Sequence, residues 1–164
     1  MLQYLLPIMK KTCALTGHRE LPAQFQKDLL YKEIEKLIKD GCDRFLCGMA
    51  EGFDLLCLDC LVALRQKYAL YLEACIPFPE QDRFFKQEYK ALYRKLIGLC
   101  DKKTVLFPSY TNGCFLARDR YMVDNCDLLF AYCVKETGGA AYTVKYAEQK
   151  KLPVVYFDDE EFES

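Results

Sequence analysis

Short apolar runs alternate with amphipathic stretches along almost the whole chain. The first run, "TCALT" (Thr12–Thr16), has the length of a buried strand and stops at Thr16-Gly17. Pro22 then opens a stretch whose apolar residues Phe25, Leu29, Leu30, Ile34, Leu37 and Ile38 recur at helical spacing, and Gly41 closes it. "DRFLC" (Asp43–Cys47) is a second strand, "GMAEGFD" a tight loop, and "LLCLDCLVALRQKY" a second helix. A third strand, "LYLEACIP" (Leu70–Pro77), is halted by "PFPEQ". A third helix is expected from Arg83 to Gly98, with Phe85, Tyr89, Leu92 and Leu96 on one stripe. "KTVLF" (Lys103–Phe107) is a fourth strand. "PSYTNG" is a turn in which Thr111 or Asn112 is placed to cap the helix "FLARDRYMVDN". "DLLFAYC" (Asp127–Cys133), the helix "AAYTVKYAEQKK" and the strand "PVVYF" (Pro153–Phe157) complete the series.

Strand and helix therefore alternate regularly, and the strands are apolar on both sides. That pattern specifies an α/β fold: a single doubly wound, Rossmann-like domain whose mostly parallel sheet has roughly six strands. The domain is expected over 9–158. The opening "MLQYLLPIM" lacks the basic start and small-residue cleavage pattern of a signal peptide, so Met1–Ile8 reads as an extension before Met9. Residues 159–164 read as an acidic tail.

Composition narrows the function classes. With 164 residues the chain is long enough for one core, and a formal net charge of -1 argues against non-specific nucleic-acid binding. No apolar run is long enough to span a bilayer. The ten cysteines lie mostly inside apolar runs, as Cys13, Cys47, Cys75 and Cys133 do. They behave as small core residues of a reduced, cytoplasmic protein, not as a disulfide framework.

In an open α/β sheet, ligands bind beyond the carboxyl ends of the strands. Five loops meet that condition: "TGHRE", "GMAEGFD", "PFPEQ", "PSYTNG" and "VKETGG". The first, second and fifth carry the most weight, because the topological switch point is expected beside the first strand. Gly48 and Gly52 let a backbone approach a ligand where a helix starts, or simply make the turn; Asp54 is a candidate N-cap. Gly138 and Gly139 repeat the arrangement at the fifth junction. Neither junction is a G-x-G-x-x-G or a Walker loop, so an ordinary dinucleotide or ATP site is not supported. Arg118 and Arg120, two residues apart, cannot share a helix face, so at most one of them faces a central ligand.

Three other motifs lead nowhere. "CALTGHR" has the C-x5-R spacing of a cysteine phosphatase, but Cys13 sits inside the strand, where an apolar setting leaves the thiol inactive. Cys57 and Cys60 are spaced C-x-x-C on a helix with no second pair and no histidine, so no metal is expected. Neither Ser109 nor Ser164 lies in a G-x-S-x-G nucleophile elbow.

Taken together, "TGHRE", "GMAEGFD", "ARDRYMVDNCDLLFAY" and "TGGAAYTVKYA" resemble the YpsA-like branch of the SLOG superfamily, over Met9 to about Phe157. That superfamily groups Rossmann-like domains related to Smf/DprA and to the LOG phosphoribohydrolases. The resemblance implies a pocket for a nucleotide or ADP-ribose-like ligand, with no cofactor required. Its lining would be Gly17, His18 and Arg19, then Gly48, Met49, Ala50, Glu51, Gly52 and Asp54, then Arg118 and Arg120, and finally Gly138, Gly139 and Thr143. The implied role is a sensor or regulatory module: glycine loops hold phosphate, Arg19 and one of Arg118 and Arg120 neutralise it, and His18 meets a ribose hydroxyl or phosphate. The alternative is N-glycosidic hydrolysis, with Glu51 or Asp54 as acid/base and His18 assisting. LOG proteins carry a glutamate close behind their PGG-x-GT motif, whereas here the first acid after Thr143 is Glu148. On either reading, His18 and Arg19 should point into one cleft with Gly48–Gly52 and Gly138–Gly139. The many Tyr and Phe residues on helical faces leave room for a homodimer.

Overall fold

The computed structural model describes residues 10–159. The proposed extension Met1–Ile8, and all of the acidic tail except Asp159, lie outside the described residues.

The elements are β1 (Lys11–Gly17), α1 (Lys27–Lys39), β2 (Cys42–Cys47), α2 (Phe53–Leu64), β3 (Tyr71–Ile76), α3 (Gln87–Ile97), β4 (Lys102–Val105), α4 (Cys114–Asp124), β5 (Leu128–Tyr132), α5 (Gly139–Gln149) and β6 (Val154–Tyr156). The six strands form one sheet in the order β4-β3-β2-β1-β5-β6. Every pairing is parallel. The chain winds outward from β1 to β4, then crosses back to lay β5 on the other side of β1. That reversal puts the switch point between β1 and β5, where Gly17 pairs with Tyr132.

Both faces of the central strands β1, β2, β3 and β5 are covered, which is why they read as continuous apolar runs, whereas the edge strands β4 and β6 are largely exposed. Successive residues go to opposite cores. Cys13, Leu15, Phe45, Cys47, Leu72, Ala74, Phe130 and Tyr132 pack with α1, α2 and α3. Ala14, Leu46, Cys75, Leu129 and Ala131 pack with α4 and α5. All ten cysteines carry free thiols. Burial pushes the Cys13 thiol well above its ordinary value and Cys60 up to about 12, so neither is an activated nucleophile.

Four local expectations need correction. Pro22 to Phe25 is a turn closed by Phe25 N–H donating to Pro22 O at 3.0 Å, and α1 begins only at Lys27. Phe25 instead turns its ring onto Phe53 and Tyr132. The third helix is also shorter than expected. Gln81–Phe84 is a separate 3-10 turn, and extended backbone at Phe85 and Lys86 breaks the path before Gln87. Phe85 kept its helix-like burial by packing its ring against Tyr93, 5.8 Å away, so the stripe looked continuous. Gly113, at φ 82°, is the N-cap of α4; Thr111 supplies only its backbone oxygen, to Cys114 N–H. Gly52 is the N-cap of α2, and Asp54 lies within its first turn.

Candidate functional site

The loop after β1 is built by close packing against the start of α2. A Cβ on Gly17 would stand 2.3 Å from Phe53 Cδ2. Phe53 is fully buried, stacked on Tyr132 at 5.6 Å and tilted against Phe130 at 5.8 Å. Its N–H donates to His18 O at 3.1 Å. Gly52, at φ 85°, places its α-carbon where a Cβ would lie 2.2 Å from Arg19 O. Both glycines therefore serve the joint between the first and second loops.

His18 is half-buried and ties the first loop to the fifth. Its Nε2 accepts the Val134 N–H at 2.9 Å, which puts the proton of the neutral ring on Nδ1. Its ring meets Tyr132 edge-on, with centroids 5.4 Å apart. Burial, and secondarily the Lys135 charge, hold its pKa below the ordinary 6.5. The neutral form is the one that can accept from Val134.

The second loop is pinned from the opposite side. Arg118 is buried, its guanidinium lies against Gly48, and its Nη1 donates to Gly48 O. Its Nε pairs with Asp119 at 2.7 Å. Gln81 Nε2 adds a second donor to Gly48 O at 3.3 Å. Met49 is buried at φ 61°, and Ala50 N–H donates to Asp54 Oδ2 at 3.3 Å. Burial raises the Asp54 carboxyl to about 7, against the pull of Arg118. Arg118 in turn resists its own burial because Asp119 and Asp54 are beside it, and its pKa stays above the ordinary value.

A cavity of about 500 Å³ opens over the carboxyl ends of β1 to β4. Arg19 reaches it from the first loop and Glu51 from the second. Phe78 to Gln81 and Arg83 to Phe85 contribute from the third loop, Pro108 to Tyr110 from the fourth, and Phe115 from α4. The exposed Arg19 guanidinium lies over the Phe115 ring at 5.2 Å. Phe78, Tyr110 and Phe115 form a mutual cluster with centroids 5.7 to 6.4 Å apart. Glu51 Oε2 accepts the Lys86 N–H at 3.1 Å.

The sequence-derived residues thus separate into groups. Arg19 and Glu51 line the cavity. His18 sits beside them and contacts the fifth loop. Gly17, Gly48, Met49, Ala50, Gly52, Asp54 and Arg118 make up the packed joint beneath. Gly138 and Gly139 stand at the start of α5 with open space around them and, contrary to the expectation of one shared cleft, do not line the cavity that Arg19 reaches. Thr143 is buried and donates to Gly139 O of its own helix at 2.8 Å. Arg120 faces α5, donating to Tyr142 Oη at 2.9 Å, and borders a shallow depression beside Leu106 and Asp124 instead of the cavity. The aromatic wall was not singled out from the sequence. Its signal was the density of rings in "PFPEQDRFF" and "PSYTNGCF", directly behind two strands.

Comparison with known proteins agrees with this frame. The fold superposes on DNA processing protein A (DprA) from Streptococcus pneumoniae with a TM-score of 0.65 and 20% identity, over 89% of this chain and 50% of that one. It superposes on DprA from Helicobacter pylori, in a structure describing that protein's single-stranded DNA binding mode, with a TM-score of 0.64 and 17% identity, over 89% and 64%. The chain thus spans about half to just under two thirds of these proteins, and at such identities the likeness is one of fold. No curated protein matches the sequence. No helix among the described residues is long and apolar enough to cross a membrane. The YpsA family model matches residues 16–158, a span that holds every loop of the carboxyl edge, and the chain belongs to the YspA SLOG family.

Proposed function

We propose that this protein binds a nucleotide or nucleotide-derived small ligand, such as an ADP-ribose-like molecule, at the carboxyl edge of its sheet, and acts as a sensor or regulatory module. The observation that carries this reading is the 500 Å³ cavity over four consecutive strand ends, with Arg19 and Glu51 on its wall. That volume suits a small molecule. The cavity lies at the carboxyl edge, where open α/β sheets bind ligands, on the β2–β4 side of the β1–β5 switch point. The joint beneath it is cross-linked by His18, Arg118 and Gln81, so the walls are largely organised in advance. The Helicobacter DprA binds single-stranded DNA. Here the formal net charge of -1 favours a small ligand over a polyanion. Ten free thiols suit a reducing compartment such as the cytoplasm.

A second reading, N-glycosidic hydrolysis of a nucleotide, rests on Glu51, a carboxylate on the cavity wall. Asp54 serves it less well because it is buried below the turn. Thermal denaturation with AMP and ADP-ribose, followed by mass spectrometry of the mixture, separates these readings. Binding at about 100 times Kd stabilises by about 2.7 kcal/mol, which is readily measured. A shift without turnover supports the sensor. Release of free base that stops in Glu51→Gln supports the hydrolase. No shift at millimolar ligand refutes both.

A further inference from the structure

The cavity wall carries three kinds of chemistry, and each matches a different part of one ligand. The first is aromatic. Phe84 is 87% exposed and Tyr110 62% exposed, although both line a concave site. Rings this open at the mouth of a cavity leave apolar face that a flat ligand group can cover. The second is cationic. Arg19 and Arg83 are exposed, and each is held over a ring, Phe115 at 5.2 Å and Phe84 at 5.3 Å. Stacking of this kind limits the guanidinium's freedom while leaving its N–H fork available for an oxyanion.

The third is a fixed carboxylate. Glu51 Oε2 is occupied by the Lys86 N–H at 3.1 Å, and Oε1 has no hydrogen-bond partner among the described residues. An ionised carboxylate only accepts, so this group calls for a ligand hydroxyl or amine, not a phosphate. Two cations alone would suit any phosphate, and aromatic rings alone any apolar group. The carboxylate beside them narrows the class.

Resting on the reading that this site takes a nucleotide, we propose that the cavity is a ribonucleoside subsite that discriminates ribose from deoxyribose. The base lies against Phe84 and Tyr110. Glu51 Oε1 accepts the hydrogen bond of the ribose 2′-hydroxyl, and Arg19 with Arg83 receives the phosphate. On this assignment Glu51 is a specificity residue, and the glycines of the second loop serve only to hold it in place.

Isothermal titration of the full chain with AMP, 2′-deoxy-AMP and ribose 5-phosphate tests the assignment. AMP should bind about 10- to 100-fold more tightly than 2′-deoxy-AMP, as expected for a hydrogen bond to a charged acceptor. Glu51→Ala should weaken AMP to the level of the deoxy compound and abolish the discrimination. Tyr110→Ala, at an exposed position whose ring holds neither arginine, should weaken AMP at least about fivefold and leave ribose 5-phosphate unchanged. The subsite is overturned, with nucleotide binding intact, if AMP binds and Glu51→Ala retains the ribose preference. It is also overturned if Tyr110→Ala affects AMP and ribose 5-phosphate equally, or if a thymidine oligomer displaces AMP at comparable affinity. Absence of AMP, ADP-ribose and ribose 5-phosphate binding to the wild-type chain overturns the nucleotide reading itself.

Discussion

Replacing Gly52 with alanine probes the joint that holds the site together, and Gly138 is its natural control. Gly52 has φ 85° and ψ -127°, and Gly138 has φ 102° and ψ -177°. An alanine in either conformation carries backbone strain of about 1–3 kcal/mol. The two positions differ in what surrounds them. A Cβ at Gly138 meets nothing within 4 Å, whereas one at Gly52 lies 2.2 Å from Arg19 O and 2.7 Å from His18 O. Those oxygens belong to backbone, and His18 is further tied to Phe53 and Val134. Relief therefore needs the first and second loops to part by about 1 Å, an overpacking cost of about 1–3 kcal/mol more. Gly52→Ala should lose about 2–6 kcal/mol in total and Gly138→Ala about 1–3 kcal/mol. In equilibrium urea unfolding, a difference of about 2 kcal/mol separates the midpoints by about 1 M. Equal midpoints for the two variants would refute the claim that Gly52 is required by close approach.

Two further predictions concern protons. Asp54 has a folded pKa of about 7 against an ordinary 3.8, so the folded state holds its proton more strongly than the unfolded chain does. Its contribution is present at low pH and is lost as pH rises through about 7, by at most about 4 kcal/mol. Asp54→Asn removes this titration. The melting temperature of the wild type should therefore fall relative to the variant between pH 4.5 and 8, and parallel curves would exclude the effect. His18 works in the opposite sense. Its folded pKa lies below the ordinary 6.5, so the Val134 contact is intact above that value and is lost as pH falls. The Val134 amide resonance should titrate with a midpoint below 6.5 and stop titrating in His18→Ala; a pH-independent signal in the wild type would contradict the contact.

Element order and fold class were legible in the chain because a parallel sheet buried on both faces leaves a strong mark: apolar runs such as "TCALT" and "DLLFAYC" separated by helical stripes. Boundaries were less so. Phe25 and Phe85 fit helical spacing yet lie in extended or turn backbone, since burial by a neighbouring ring mimics burial on a helix face. Of the residues lining the cavity, Arg19 and Glu51 are legible from their place after a strand. Phe84 and Tyr110 were passed over, because a ring behind a strand is ordinary core until its exposure is known.

Sequence alone determined that this chain forms a doubly wound sheet and that Cys13 is strand core, and it pointed to the carboxyl edge, where the structure has a cavity. Tertiary structure decided what the individual residues there do. The glycines looked like places for a ligand to approach, but Gly17 admits Phe53, Gly48 admits Arg118, and Gly52 admits the backbone of Arg19. Spacing left open which of Arg118 and Arg120 faces the edge; Arg118 is a buried clamp on Gly48. His18, conspicuous as a single histidine, bridges two loops. The physical reason is that spacing along a chain fixes which edge of a sheet a residue reaches. Which neighbour occupies the space beside it depends on contacts between loops up to 116 residues apart.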